Sequence, residues 1–226
     1  MKRACIALLP VLALLARCPA EDANVTAPVK GAVVTMEYSN PALSPSSWKL
    51  TLHPDGSGHF TSQMATVPTG AQSEMRLPNL DRDVRLSPKF ADSVFATARR
   101  HDWFNEECDS HMKVAFSGWK SLRYVGPEGQ GSCTFNYSKD KQIERLGNSF
   151  MAVAQTIFSG ARLEMLLQHD PLGLNKEIDS LALAAQDGRA QQICTIRSIL
   201  ERLAQDGRVM DLVRKQARNL LAHSDI

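Results

Sequence analysis

The sequence predicts an α+β fold, in which a small antiparallel sheet with one packed helix is followed by an all-helical C-terminal unit. Apolar and polar residues alternate in several short runs between residues 31 and 137, which is the spacing of half-buried strands. One stretch of helical spacing interrupts these runs, and from residue 139 onward the spacing is helical throughout. A run of strands with one helix favours an antiparallel sheet covered on one face.

The first 20 residues have the order of a secretory signal peptide. Lys2 and Arg3 precede an apolar run of 13 residues, and small residues lead to the acidic Glu21. The run is too short to cross a bilayer, for which about 20 apolar residues are needed. We therefore predict cleavage after Ala20 or Ala23, export to the periplasm or the extracellular space, and a flexible lead-in over residues 21–30.

Lipid anchoring is an alternative fate for the N-terminus. The stretch Leu15-Ala16-Arg17-Cys18 is similar to a lipoprotein cleavage box, which would leave Cys18 as a lipidated first residue. Such boxes have a small residue before the cysteine, and Arg17 stands in its place. The sequence predicts no membrane span in the mature chain.

Export changes the charge balance of the protein. The whole chain has 26 basic and 24 acidic residues, a net charge of +2. Residues 1–20 contain Lys2, Arg3 and Arg17 but no acid, so removing these three leaves 23 basic against 24 acidic residues, or −1. A nearly neutral surface argues against nucleic acid or an anionic membrane as the main partner.

The sheet-rich domain is predicted over residues 31–137, and its elements follow in order. Residues 31–39 are predicted as a strand, 47–62 as a hairpin around the turn PDGSG, and 63–86 as loop or irregular edge structure. Ser87 and Pro88 are typical of a helix start, so a helix is expected from there. Further strands are predicted over 112–117, 120–125 and 132–137.

Three cysteines remain after removal of the signal peptide: Cys108, Cys133 and Cys194. Cys108 and Cys133 flank predicted strands in an oxidising compartment, so we predict a disulfide between them, which contributes about 3 kcal/mol by closing its loop. A metal site with His101 and His111 is the alternative, but no second pair of ligands follows Cys133. Cys194 is expected to be buried in a helix, with an intermolecular disulfide as its alternative.

Two other polar clusters are candidate metal-binding or catalytic sites. His53 and His59 flank the PDGSG turn and, with Asp55, form a possible metal set, although turn chemistry alone explains these residues. The stretch 101–111 contains His101, Glu107 and other acids around two aromatic residues. The sequence lacks common hydrolase, nucleotide-binding and redox motifs. We therefore predict no catalytic residues, no metal and no cofactor.

The helical unit is predicted over residues 139–226. The pentapeptide Ala-Gln-Asp-Gly-Arg occurs at 185–189 and at 204–208, and each copy is expected to end a helix at its glycine. The last helix, DGRVMDLVRKQARNLL, resembles the second half of a HEAT-type repeat, with the motif at Val213, Arg214, Ala217 and Leu220. That resemblance implies a docking surface. The whole chain is similar to uncharacterised exported bacterial proteins that join a small sheet domain to a helical tail.

The predicted function is non-catalytic. We expect an exported binding or assembly module with a protein partner, using sheet edges or an apolar helical face over 189–221. One alternative is an inhibitor of an exported hydrolase, inserting the loop at Asp55-Gly56 or the loop 126–131. The other alternative is an enzyme whose site joins scattered residues such as His101, Glu107 and His111. A pocket lined by such groups favours the enzyme, and a protruding rigid loop favours the inhibitor.

Overall fold

The computed structural model describes residues 31–65 and 76–223. The predicted signal peptide, the lead-in and the candidate anchor at Cys18 lie outside the described residues. Within them the fold is α+β, as predicted: an antiparallel sheet is followed by a helical C-terminal part.

The sheet has six strands in the order β4-β3-β2-β1-β5-β6, and every neighbouring pair is antiparallel. The strands are β1 (Val33–Ser39), β2 (Ser47–Leu52), β3 (Ser57–Gln63), β4 (Asp81–Arg85), β5 (Trp119–Gly126) and β6 (Gly129–Phe135). β1 to β4 form a meander, and the chain then returns to place β5 on the other side of β1. β4 and β6 are therefore the edge strands.

Only one face of the sheet is buried, because apolar side chains alternate along each strand. Met36, Leu50, Phe60 and Leu122 lie on this face and are fully buried. The aromatic rings of Trp48 and Phe60 stack with their centroids 5.9 Å apart. The opposite face presents charged and hydroxyl side chains to solvent, which is common in antiparallel sheets.

Two helices cover the buried face. α1 (Pro88–Arg100) begins as predicted at Ser87, whose side chain accepts the N–H of Phe90 at 3.3 Å. α2 (Lys141–His169) lays its predicted apolar stripe against the same core: Ile143, Leu146, Phe150, Val153 and Ile157 are all buried. Among the described residues no helix, α2 included, is long and apolar enough to cross a membrane.

A second apolar cluster begins in the last turns of α2 and continues through the tail. Its helices are α3 (Leu174–Gln186), α4 (Arg197–Gln205) and α5 (Asp211–Ala222). Both copies of the pentapeptide follow a helix end, as predicted. In the first copy Gly188 has a φ of +73°, a conformation that glycine adopts without strain. In the second copy the hydrogen bonds from Arg208 lower the pKa of Asp206 to about 2.

The structure corrects two strand predictions. Residues 112–117 form no strand, although their alternation of apolar residues is that of one. β4, in contrast, lies in a stretch predicted to be irregular, because its sequence DRDVR offers only Val84 to the core. The β5–β6 turn is also tighter than predicted, since Gly126 pairs with Gly129 around two residues.

Candidate binding surface

Cys108 and Cys133 form a disulfide, as predicted, with their Cα atoms 5.6 Å apart. Both residues are buried. The bond fastens the loop that follows α1 to the edge strand β6. Shortly after Cys108 the chain becomes solvent-exposed, and it remains so until it approaches β5.

A short 3-10 helix, Asp102–Phe104, lies beside β6 ahead of the disulfide. The indole of Trp103 stacks on Tyr124 with a centroid distance of 4.5 Å. Gly131 leaves room for this approach, because a Cβ there would lie 2.6 Å from the carbonyl oxygen of Trp103. Burial and the hydrogen bond to Glu128 raise the pKa of Tyr124 well above its usual range.

Asp109 and Ser110, which follow Cys108, tie the start of the outgoing chain to the end of β6. The carboxylate of Asp109 accepts the N–H of Asn136 at 3.0 Å, and Ser110 donates its N–H to the carbonyl of Tyr137 at 2.9 Å. Burial opposes ionisation of Asp109, but the N–H groups of His111 and Asn136 outweigh it and lower the pKa of the carboxyl. Asp109 is therefore ionised when it holds this loop.

The other end of the outgoing chain is held equally firmly. The side chain of Asn136 accepts the N–H of Ser117 at 2.9 Å and donates to the carbonyl of Ala115 at 3.2 Å. The phenol of Tyr38 donates to the carbonyl of Ser117 at 2.7 Å. Gly118 follows with a φ of +112°, packed so closely on the Tyr38 ring that a Cβ would clash with it.

Between these two anchors, residues 111–117 are all exposed, and we call them segment 111–117. Met112 and Phe116 keep 53% and 52% of their surface in solvent, and Val114 keeps 41%. Trp119 extends this apolar surface into β5, with its ring 5.7 Å from that of Phe116. The anchored segment therefore displays three large apolar side chains, and with Trp119 they form an apolar surface of which about half remains exposed in the described chain.

The backbone of segment 111–117 also has bonding capacity to spare. The N–H groups of Lys113, Ala115 and Phe116 have no partner within residues 31–65 and 76–223. Exposed backbone groups of an extended segment can pair with a strand of another protein, while alternate side chains occupy its pockets. Sequence reasoning missed this surface because an exposed alternating run and a half-buried strand have the same pattern.

The PDGSG turn holds no metal set. His59 faces β4, with its ring nitrogens 3.0 Å from Asp81 and 2.8 Å from Asp83. Asp55 accepts the N–H and the hydroxyl of Ser57 and so acts as a turn residue. Across the described residues, no group of three or more His, Cys, Asp or Glu side chains is arranged to hold a metal ion.

The three residues of the enzyme hypothesis do not form one site. His101 bonds to Glu106 at 2.8 Å, whereas His111 lies beside Asp109 and Glu107 and is largely exposed. None of His101, Glu107 and His111 lines any of four cavities formed by other described residues.

The two loops of the inhibitor hypothesis are tied back to the body of the protein. Gly56 accepts the N–H of Leu86, and a Cβ at Gly56 would lie 2.5 Å from the Leu86 carbonyl oxygen. In the loop 126–131, Glu128 bonds to Tyr124 and Gly129 packs on Trp103. Neither loop is the protruding apolar element of this protein, a description that fits segment 111–117.

Most apolar residues over 189–221 are buried and form no free face, although Met210 and Leu212 keep 51% and 53% of their surface in solvent. Ile196, Leu200, Val213 and Ala217 are buried in the second cluster, where they hold the tail helices together. Cys194 lies in a short 3-10 helix, Ile193–Ile196, rather than in a buried helix. It is half-buried, with its sulfur 3.8 Å from the carbonyl oxygen of Arg85.

Comparisons with known proteins leave the site to be interpreted from its own chemistry. The chain matches no protein-family model, and no curated protein resembles it significantly in sequence.

Proposed function

We propose that this protein is an exported binding module that docks on a partner protein through segment 111–117 and Trp119. The observation that carries the proposal is the exposure of Met112, Val114 and Phe116 on a segment anchored at both ends. The anchors reduce the entropy that the backbone of the segment loses on binding, and preorganisation of this kind raises affinity. Large apolar side chains at the centre of an interface supply much of its binding energy.

The expected partner is a polypeptide with an exposed strand edge and apolar pockets. The unpaired N–H groups of segment 111–117 supply one side of a hydrogen-bond ladder. Its alternate residues Met112, Val114 and Phe116 supply the side chains that would fill pockets. Lys113 lies between them and is also exposed, so acidic residues beside the pockets would complement the segment.

Export is part of the proposal and is supported by the disulfide, since disulfides persist in oxidising compartments. Mass spectrometry of the mature protein, before and after reduction with alkylation, tests it. We expect cleavage after Ala20 or Ala23 and one internal bond between Cys108 and Cys133. A mass that retains Cys18 with acyl chains would instead establish the lipid anchor, and a full-length reduced chain would contradict export.

Site-specific photocrosslinking tests the docking surface. A benzophenone amino acid replaces Phe116 in cells that make the protein, and Arg123 on the open sheet face is the matched exposed control. We expect a discrete adduct from position 116 and none from position 123. The partner identified from the adduct is then purified and titrated with the wild-type protein and with the M112S and F116S variants.

The two serine variants should bind that partner at least about tenfold more weakly, because truncation of an interface anchor commonly costs more than 1.4 kcal/mol. Their thermal stability should stay close to that of the wild type, since both side chains are exposed. Equal adducts from both positions, or unchanged affinity in both variants, would contradict docking through this segment.

Inhibition of an exported hydrolase is the second candidate function. It is favoured by one feature of the same segment, which is exposed over seven consecutive residues and held by the disulfide and by Asn136. Under this candidate the crosslinked partner is a hydrolase, and the purified protein inhibits it in a way that F116S abolishes. If the protein does not affect the catalytic activity of the partner, the docking proposal stands and the inhibitor function is excluded.

A further inference from the structure

A groove runs along the side of the molecule where α1, α2 and the tail meet. It consists of two adjoining cavities: one of about 480 Å³ between α1 and α2, and one of about 770 Å³ between α3 and α5. Ser87, Gln191 and Gln192 line both cavities and join them. The groove shares no residue with segment 111–117, so it is a separate candidate site. Both volumes are in the range of ligand sites.

The smaller cavity is basic. Lys89 and Arg100 reach it from α1 and Arg145 from α2, and no carboxylate of the described residues lines it. Arg100 donates to the carbonyl of Ala96 and to Thr97, but none of the three cations forms an ion pair within the described part of the chain. Three unpaired cations in a concave site attract an anionic ligand.

The larger cavity carries almost no charge and is rich in carboxamides. Among the described residues its only titratable side chain is that of His223, and small apolar residues such as Ala182 and Ala190 form part of its lining. The carboxamides that line it are those of Gln186, Gln191, Gln192, Gln216 and Asn219. Three of them, Gln186, Gln216 and Asn219, make no side-chain hydrogen bond within residues 31–65 and 76–223.

A carboxamide offers one acceptor and two donors, which match the C=O and N–H of a peptide group. Small residues beneath the carboxamides leave space for ligand side chains. Within residues 31–65 and 76–223, no aromatic side chain on which a sugar ring could stack lines the larger cavity. These features favour the backbone of an extended peptide over a carbohydrate.

Hydrogen bonds hold the residues between the two cavities, so the basic cavity and the carboxamide-lined cavity keep fixed positions relative to each other. The side chain of Gln192 accepts the N–H of Ser87 at 2.8 Å, and Thr156 donates to the carbonyl of Gln191 at 2.7 Å. Gln192 itself has a φ of +56°, an uncommon conformation for a residue with a side chain. The tail is thereby fastened to α1 and α2 at the middle of the groove.

We propose that this groove binds an extended peptide whose acidic end lies in the basic cavity and whose backbone runs along the carboxamides. An extended peptide advances about 3.3 Å per residue, so a hexapeptide spans about 20 Å from the basic cavity across Ser87 toward the carboxamides. Lys89 and Arg145 select the acidic end, and Gln216 and Asn219 hold the neutral part.

The test is a titration of the ¹⁵N-labelled protein with three hexapeptide pools, followed by NMR. Each pool has four randomised positions and an amidated C-terminus, and the pools end in Asp-Asp, Asn-Asn or Lys-Lys. We expect the Asp-Asp pool to bind about tenfold more tightly than the Asn-Asn pool, in line with charge-assisted hydrogen bonding. The side-chain amide signals of Gln186, Gln216 and Asn219 should shift.

Two kinds of variant distinguish the contribution of the basic cavity to binding from that of the carboxamide-lined cavity. R145E should abolish the preference for the Asp-Asp pool, while R123E, the same change on the open sheet face, should preserve it. N219L should weaken binding of all pools and keep the acidic preference. No shift with any pool at millimolar concentration would overturn the proposal, as would equal binding of all three pools, or shifts of the groove signals by maltohexaose or oligogalacturonate instead of peptides.

Discussion

Asn136, at the end of β6, holds Ser117 by two hydrogen bonds: its side-chain oxygen accepts the Ser117 N–H at 2.9 Å and the Ser117 hydroxyl at 3.0 Å. The same side chain donates to Ala115. One residue thus fixes the C-terminal half of segment 111–117. The geometry of the proposed docking surface therefore depends on a side chain that has no role in the core.

Replacement of Asn136 by alanine should loosen segment 111–117 without unfolding the protein. The loss of a net hydrogen bond of about 1 kcal/mol predicts hydrogen exchange at the Ser117 amide that is about five- to tenfold faster. Exchange measured by NMR checks this. N136D retains the acceptor and loses only the donor to Ala115, so its effect should be smaller. Unchanged exchange in N136A would show that the disulfide, Asp109 and Tyr38 hold the segment without Asn136.

Gly131 should be intolerant of any side chain. A Cβ there would lie 2.6 Å from the Trp103 oxygen and 2.7 Å from the Asn105 nitrogen, and both of these atoms are backbone. We expect G131A to lose about 2 kcal/mol and several degrees of melting temperature. G207A is the matched control, because nothing lies within 4 Å of its Cβ. Similar melting temperatures for the two variants would contradict the close packing of Trp103 on β6.

Lys120 and Glu144 form an ion pair that is largely buried, with Nζ 3.3 Å from Oε1. Lys120 also lies 5.1 Å from the centre of the Phe135 ring. Neutralising one partner leaves the other charge unpaired, so E144Q should cost about 2–3 kcal/mol of unfolding free energy. K120M combined with E144Q should recover most of that loss. Urea unfolding of the two single variants and the double variant measures the coupling, and strictly additive effects would contradict it.

The hydrogen bond to Asp83, together with the charge of Asp81, raises the pKa of His59 above its usual 6.5. A raised pKa in the folded state means that protonation stabilises the fold. This contribution is complete below about pH 6.5 and is lost as the pH rises through the folded pKa. The stability difference between wild type and H59Q should therefore be larger at about pH 5.5 than at about pH 8.5.

H53Q is the control for that comparison, since His53 is exposed and forms no ion pair in the described residues. The His59 effect should be small and should fade in about 1 M salt, because the ring and both carboxylates are substantially exposed. Equal pH dependence of H59Q and wild type would show that the pair does not contribute to stability.

Much of the architecture could be predicted because it depends on local patterns. The hairpin over β2 and β3 follows from alternation around Asp55-Gly56, α1 from the cap at Ser87, and α2 from apolar steps of three and four. β4 was missed because a charged edge strand carries only one inward apolar residue. The disulfide could be predicted from the pair of cysteines in an exported chain, although the strand expected after Cys108 does not form and Cys133 lies within β6.

The candidate sites were less accessible to such reasoning. Segment 111–117 has the alternation of a strand, and no local signal distinguishes a strand that finds a partner from one that does not. The groove is less visible still, since it joins Ser87 to Gln192 across 105 positions of sequence. Hydroxyls, amides and cations at those positions are ordinary surface residues until the helices bring them together.

The sequence by itself determined the antiparallel sheet, the helical tail and the residues of the disulfide, because backbone periodicity and turn chemistry act over a few residues. The tertiary structure alone decided that Phe116 faces solvent, that His101 and His111 pair with different acids, and that Lys89 and Arg145 share a cavity lined by no acid of the described residues. Strand pairing and helix packing join residues far apart in the chain, and their outcome depends on the whole core rather than on any one segment.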